Sequence, residues 1–165
     1  MQEFKKIIQK ETNTVSINEK LTTLLKESKT SIAIAENISN GHILSCLSTL
    51  NKESIKGGIV CNNNASLAQL LGVPAKTIIK KNGYKERSLL MAQKIRRLLH
   101  TSIGLATSGY EGKEQKELHI GIASKNEQRH KKYVFDTKST QQHAEYATLG
   151  TLYFFLSTKH KEIET

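Results

Sequence analysis

The sequence predicts an α/β domain: a three-layer α/β/α sandwich around a mixed, largely parallel central sheet. Two observations carry this. Short apolar runs alternate with helical patterns through the first two thirds of the chain, the order that builds parallel strands with crossover helices. Two late strand-like runs are separated only by a polar turn, which adds an antiparallel hairpin. The 165 residues fit a single domain, 1–165, with 1–16 as an N-terminal helical extension. That length buries an apolar core without disulfides or a metal.

Residues 1–13 are polar, with Phe4, Ile7 and Ile8 as an apolar stripe. INEKLTTLLKESK, 17–29, sets Leu21, Leu24 and Leu25 at helical spacing, so the chain opens with a helix or helix pair. SIAIAE, 31–36, is short, apolar and bounded by polar residues, the pattern of a buried strand. After a polar stretch at 37–41, HILSCLSTL, 42–50, places Ile43, Leu44, Leu47 and Leu50 on one helical face. SIKGGIVC, 54–61, is a second strand, whose Gly57 and Gly58 signal a close approach by a ligand or a neighbouring helix. Asn62 to Asn64 read as a loop and Ser66 to Leu71 as a short helix closed by Gly72. Pro74 opens a helix over 75–81, and Asn82-Gly83 marks a turn. KERSLLMAQKIRRLLH, 85–100, is the strongest helical pattern. SIGLATS, 102–108, is a third strand, and GYEGKEQK, 109–116, reads as a polar loop. Strands at 117–124 and 130–137 form the hairpin around the polar turn KNEQR. A helix from Ser139 to His160 closes the chain, with Ala144, Ala147, Leu149, Leu152 and Phe155 toward the sheet.

The net charge is +10, from 25 Lys+Arg against 15 Asp+Glu. The basic runs at 76–87, 94–97, 129–133 and 159–161 carry few aromatics beyond Tyr84 and Tyr133. They read as solvated faces, so nucleic acid is not the expected partner. Cys46 and Cys61 form no CxxC, and no His/Cys/Asp/Glu cluster has metal-ligand spacing. There is no Walker A, GxGxxG or HExxH motif, so no cofactor or metal is expected. The charged N-terminus lacks a secretory h-region, and no apolar run approaches the ~20 residues of a membrane span. Two thiols in that context predict a reduced, cytoplasmic setting.

Four segments carry a family likeness. SIAIAENISNG, 31–41, resembles T-x-A-x-A-E-S-C-T-G-G of the CinA C-terminal domain, the nicotinamide-nucleotide amidohydrolase family. KGGIVCNNNASLAQLLGVP, 56–74, resembles that family's G-G-V-V-x-Y-x-N-x-x-K-x-x-L-L-G-V. IGLATSGYEG, 103–112, resembles L-x-L-A-V-T-G-x-A-G-P, and ELHIGIA, 117–123, resembles T-V-Y-I-G-L-A. Their order and spacing agree from about residue 17 to the C-terminus. The resemblance implies a three-layer domain, a homo-oligomer, and release of ammonia from nicotinamide mononucleotide. It also implies a stand-alone form, because the family's frequent molybdopterin-binding-like partner domain has no counterpart in this sequence.

The departures bear on the chemistry. The family's serine nucleophile falls on Asn37, and a carboxamide cannot be deprotonated to attack a carbonyl. The family lysine falls on Leu67, and the family threonines fall on Ser39 and Ser108, which keep a hydroxyl. The family's G-D-R-x-x-x-R has no clean counterpart; Lys138, Ser139 and His143 occupy that region. Glu36, Asn37, Ser39, Gly41, Gly58, Ser108 and Gly109 are the candidate lining of a small-molecule site at the carboxyl edge of the sheet. Glu36 reads equally as a cap on the next helix, and Ser39 as an ordinary N-cap. Ser39, Cys61 and Ser108 are the replacement nucleophiles available, and each needs an adjacent base that no motif spacing supplies. The expected function is a catalytically degenerate member that binds a nucleotide-like small molecule or acts in regulation. The alternatives are an active amidohydrolase using Ser39 or Ser108, and a basic interaction protein that binds nucleic acid.

Overall fold

The computed structural model describes residues 13–80, 83–136 and 141–163. Helix α1 spans Asn13–Ser28, β1 Ile32–Glu36, α2 His42–Leu50, β2 Ile55–Val60 and α3 Asn64–Leu71. They are followed by α4 Ala75–Ile78, α5 Tyr84–Leu98, β3 Ile103–Glu111, β4 Gln115–Ala123, β5 Gln128–Asp136 and α6 Gln141–Ile163. Phe4, Ile7, Ile8, Asn82, Lys138 and Ser139 lie outside the described residues.

Among the described residues the sheet has five strands in the order β2-β1-β3-β4-β5. β1 runs parallel to both β2 and β3, while β4 is antiparallel to β3 and to β5. Four of the five strands therefore point the same way, and the mixed, largely parallel sandwich expected from the sequence is the fold observed.

The two faces of the sheet are built from different residues. In β1, Ile32 and Ile34 pack toward α1, α2 and α6, in one cluster with Leu21, Leu25, Leu47, Leu152 and Phe155. Ala33 and Ala35 face the opposite way, with Leu67, Leu71, Met91 and Ile95 of α3 and α5. Strands β3 and β4 repeat the alternation as Ile103-Gly104-Leu105-Ala106 and Ile120-Gly121-Ile122-Ala123. In these stretches of β1, β3 and β4, period-two alternation puts the alanines, Gly104 and Gly121 on one face, and α5 settles close upon it. A Cβ on Gly104 would overlap the Ala92 carbonyl oxygen, and one on Gly121 the Ser88 backbone.

Several boundaries differ from the sequence expectation; the helix expected over 75–81, for one, spans only Ala75–Ile78. The stretch 109–116 is mostly strand: β3 continues through Glu111 and β4 begins at Gln115. Tyr110 pairs with Glu117 and Glu111 with Lys116, and Lys116 forms an ion pair with Glu111 across the rung. Backbone pairing with a neighbour strand outweighs the polar composition that suggested a loop. Helix α3 starts two residues earlier than expected, because Asn63 rather than a later residue caps it, accepting a hydrogen bond from the Ser66 N–H at 2.8 Å. Gly72 closes α3 in the left-handed conformation, as expected. No described helix is long and apolar enough to cross a membrane.

Candidate functional site

The carboxyl ends of β1, β2 and β3 meet where the chain turns from β1 into α2. Glu36, 1 % exposed, is the last residue of β1. Its Oε2 accepts from the N–H groups of Gly41 at 3.1 Å and Ile43 at 3.3 Å, and its Oε1 from that of Leu44 at 2.7 Å. The carboxylate therefore occupies the N-terminus of α2, satisfying donors that a helix leaves open and placing negative charge at the positive end of its dipole. Gly41 precedes the helix at φ +85, in the left-handed region that favours glycine, and offers no side-chain cap.

Ser39 is not the cap. Its hydroxyl, 4 % exposed, shares a 2.6 Å hydrogen bond with Thr107 Oγ1 in the interior. The cap reading fails because Glu36 reaches forward across the loop and takes the same donors with two oxygens. Thr107 itself, fully buried, was not singled out from the sequence; its only signal was its place beside Ser108.

Asn37 and Ser108 lie together. Asn37 Nδ2 donates to the Cys61 carbonyl at 2.6 Å, and its Oδ1 accepts from Ser108 Oγ at 3.4 Å. The two candidate hydroxyls are thus separated by the sheet. Thr107 alternates with Ser108 along β3, so Ser39 sits on the α2 side and Ser108 on the α3–α5 side. No histidine or carboxylate hydrogen-bonds either serine among the described residues. Leu67 is fully buried against Cys61, Leu71 and Met91. Cys61 is a buried free thiol, its pKa raised by desolvation.

The two remaining glycines serve packing. A Cβ on Gly58 would press against the Ile34 carbonyl and Leu44 of α2, and one on Gly109 would overlap the Glu117 carbonyl. Beside Gly58 stand the β1 backbone and Leu44 of α2, the neighbouring helix of the two readings left open for the β2 glycines.

On the α2 side a cavity of about 250 Å³ opens between the β1–α2 loop, the β3–β4 hairpin and α6. Ser39, Asn40, His42, Glu111, Lys116, Glu117 and Gln141 supply its polar lining, and Ile38, Leu118 and Phe135 its apolar wall. Of the seven predicted lining residues, the cavity takes Ser39 alone. Across the sheet, His119 contacts His130 at 3.0 Å and Glu117 at 3.4 Å. Burial lowers the pKa of both histidines, that of His130 to about 4, with the neighbouring His119, Lys85 and Lys132 adding to the effect. The Lys132 ammonium, at 2.7 Å, is the main cause holding the Glu117 carboxyl below its ordinary value.

Three side chains of metal-ligand type, which no spacing in the sequence groups together, meet between α2 and α6. His42, Cys46 and Glu145 bring one nitrogen, one sulfur and one oxygen within 4.8 Å of one another. His42 Nε2 lies 2.8 Å from Glu145 Oε2 and 3.6 Å from Cys46 Sγ. The i, i+4 spacing of His42 and Cys46 on α2 was the visible half of this cluster; Glu145 arrives from a helix a hundred residues later, which no local spacing reveals.

The comparisons with known proteins agree with this fold. The CinA C-terminal domain profile matches residues 14–158. A CinA-like protein of Amoebophilus asiaticus is 34% identical over 103 residues, 61% of this chain and 25% of that protein. A CinA-like protein of Syntrophus aciditrophicus is 36% identical over 95 residues, 56% of this chain and 23% of that protein. The matches thus span about a quarter of the length of these curated relatives. Among solved structures, a competence or damage-inducible protein from Enterobacter asburiae superposes with a TM-score of 0.75 at 22% identity, covering 85% of this chain and 96% of the other. A CinA superfamily protein from Klebsiella pneumoniae superposes with a TM-score of 0.77 at 17% identity, covering 87% and 97%. Since the profile match spans α1 to α6 and the solved neighbours share the whole sandwich, the chain belongs to the CinA C-terminal domain family.

Proposed function

We propose that this chain is a catalytically degenerate member of its family that binds a nucleotide-like small molecule at the carboxyl edge of the sheet. The observation that carries the reading is Asn37. It stands where the resemblance puts the nucleophilic serine, and both ends of its carboxamide are engaged, with the Cys61 carbonyl and with Ser108. A group that is neither nucleophilic nor free cannot open an amide. Leu67, at the family lysine's position, is fully buried and lined by apolar neighbours, so no cation stands there. The amidohydrolase alternative keeps its hydroxyls but lacks activation, because Ser39 is committed to Thr107 and Ser108 to Asn37.

The cavity beside Ser39 supports binding. Its volume of about 250 Å³ suits the ring or the phosphate of a nucleotide rather than the whole molecule. Ser39 and Asn40 offer hydroxyl and amide contacts, and Lys116 a point charge for an anionic group that takes the place of its Glu111 partner. The test is a melting-temperature series with nicotinamide mononucleotide and nicotinic acid mononucleotide. A rise in Tm that the Lys116→Ala variant loses supports the proposal; no rise from either ligand contradicts it.

A further inference from the structure

We propose that His42, Cys46 and Glu145 form a three-ligand site for a borderline divalent cation, with zinc the ion their donor set fits best. The argument starts from helix geometry. Residues four apart on a helix stand one above the other, so His42 and Cys46 present an imidazole and a thiol on one stripe of α2. Helix α6 packs across that stripe and brings the Glu145 carboxylate to it. The side chains of His42 and Glu145 are 28% and 17% exposed, enough for an ion to enter and little enough to strip most of its water.

The distances suit such an ion. In a tetrahedral zinc site with Zn–S about 2.3 Å and Zn–N about 2.0 Å, sulfur and nitrogen stand about 3.5 Å apart. Cys46 Sγ and His42 Nε2 are 3.6 Å apart. Nitrogen and oxygen ligands of zinc stand about 3.3 Å apart, so Nε2 and Oε2, at 2.8 Å, need only part by about half an ångström. One nitrogen, one sulfur and one oxygen is a donor set for zinc rather than for magnesium or calcium, which take oxygen ligands. Three protein ligands leave a fourth position for water or a ligand group. His42 also lines the cavity beside Ser39, which sets the ion at that cavity's wall.

On binding, the Cys46 S–H bond breaks, the proton leaves to solvent, and the sulfur's electron pair forms the metal bond, with the Glu145 carboxylate beside it offsetting the ion's charge.

The experiment uses the full chain without an affinity tag. Zinc binding is measured by competition with a chromophoric chelator, and the cobalt(II) adduct is followed by its thiolate-to-metal charge-transfer absorption. The proposal predicts one ion per chain and a charge-transfer band. Cys46→Ser removes the band and weakens zinc binding by more than about 100-fold, beyond what loss of a supporting residue costs. Glu145→Gln weakens binding while keeping the band. His130→Gln, which disturbs the other histidine pair, changes neither. Circular dichroism on each variant confirms that the fold is kept, and Cys46→Ala provides a second thiol-free chain. Absence of one-to-one binding, or binding and a band that survive in both Cys46 variants, overturns the proposal.

Discussion

Glu36→Gln is the substitution that separates a structural carboxylate from a ligand-binding one. Glu36 accepts three backbone N–H bonds through two oxygens, at 2.7–3.3 Å. Glutamine keeps one carbonyl oxygen. With that oxygen turned to Gly41 and Ile43, its amide faces the Leu44 N–H, donor against donor. A hydrogen bond to a charged acceptor contributes about 1.5–3 kcal/mol, and an unpaired buried donor costs about 1–3 kcal/mol. The lost charge at the helix N-terminus adds about 0.3–1 kcal/mol. Since these terms overlap, the expected destabilisation is about 3 kcal/mol. For a domain of this size each kcal/mol moves Tm by about 2–4 °C, so the melt falls by about 6–12 °C. Urea unfolding gives the free energy directly, and an unchanged m-value shows that the same surface is exposed. A loss below about 1 kcal/mol refutes the reasoning, because it would mean that α2 does not depend on this cap.

Three further outcomes follow from the same structure. Gly104→Ala forces α5 away from β3 at the Ala92 carbonyl and lowers stability by about 2–3 kcal/mol, read as a lower urea midpoint; an unchanged midpoint contradicts the close approach. Leu67→Lys buries an ammonium among Leu71, Met91 and Cys61, destabilises by about 3 kcal/mol or more, and restores no amidase activity; tolerance without loss contradicts Leu67's place in the core. His130 has its pKa lowered by burial from 6.5 to about 4, so the unfolded chain binds its proton first as pH falls. Its contribution is complete above about pH 6.5 and is lost progressively down to about pH 4, and His130→Gln flattens that part of the stability–pH profile.

The sequence made the sheet and its helices legible wherever apolar period and burial coincide. Helix α2 occupies His42–Leu50, the range its Ile43–Leu47 stripe marks, and β1 falls on the one short apolar run before it. The β3–β4 hairpin was less legible. Tyr110, Glu111 and Lys116 are held in strands by their partners across the rung, and pairing is invisible in either strand alone. At the site, the position of Glu36 at the end of β1 could be read from the motif, as could the carboxamide of Asn37 where the resemblance puts a serine. The separation of Ser39 from Ser108 could not, because it depends on which face each residue of β3 presents. His42 and Cys46 stand four apart on α2, a pairing that the sequence reading did not single out, and Glu145 joins them only through the packing of α6 on α2.

The central claim is that the family's fold persists here without its amide chemistry. Ammonia release from nicotinamide mononucleotide tests it most directly, with the purified chain run beside its Ser39→Ala/Ser108→Ala variant. The account predicts no release above the buffer blank from protein whose melt shows it folded. Steady turnover by the chain, lost in the double variant, would contradict it and place the reaction on a hydroxyl beside Asn37.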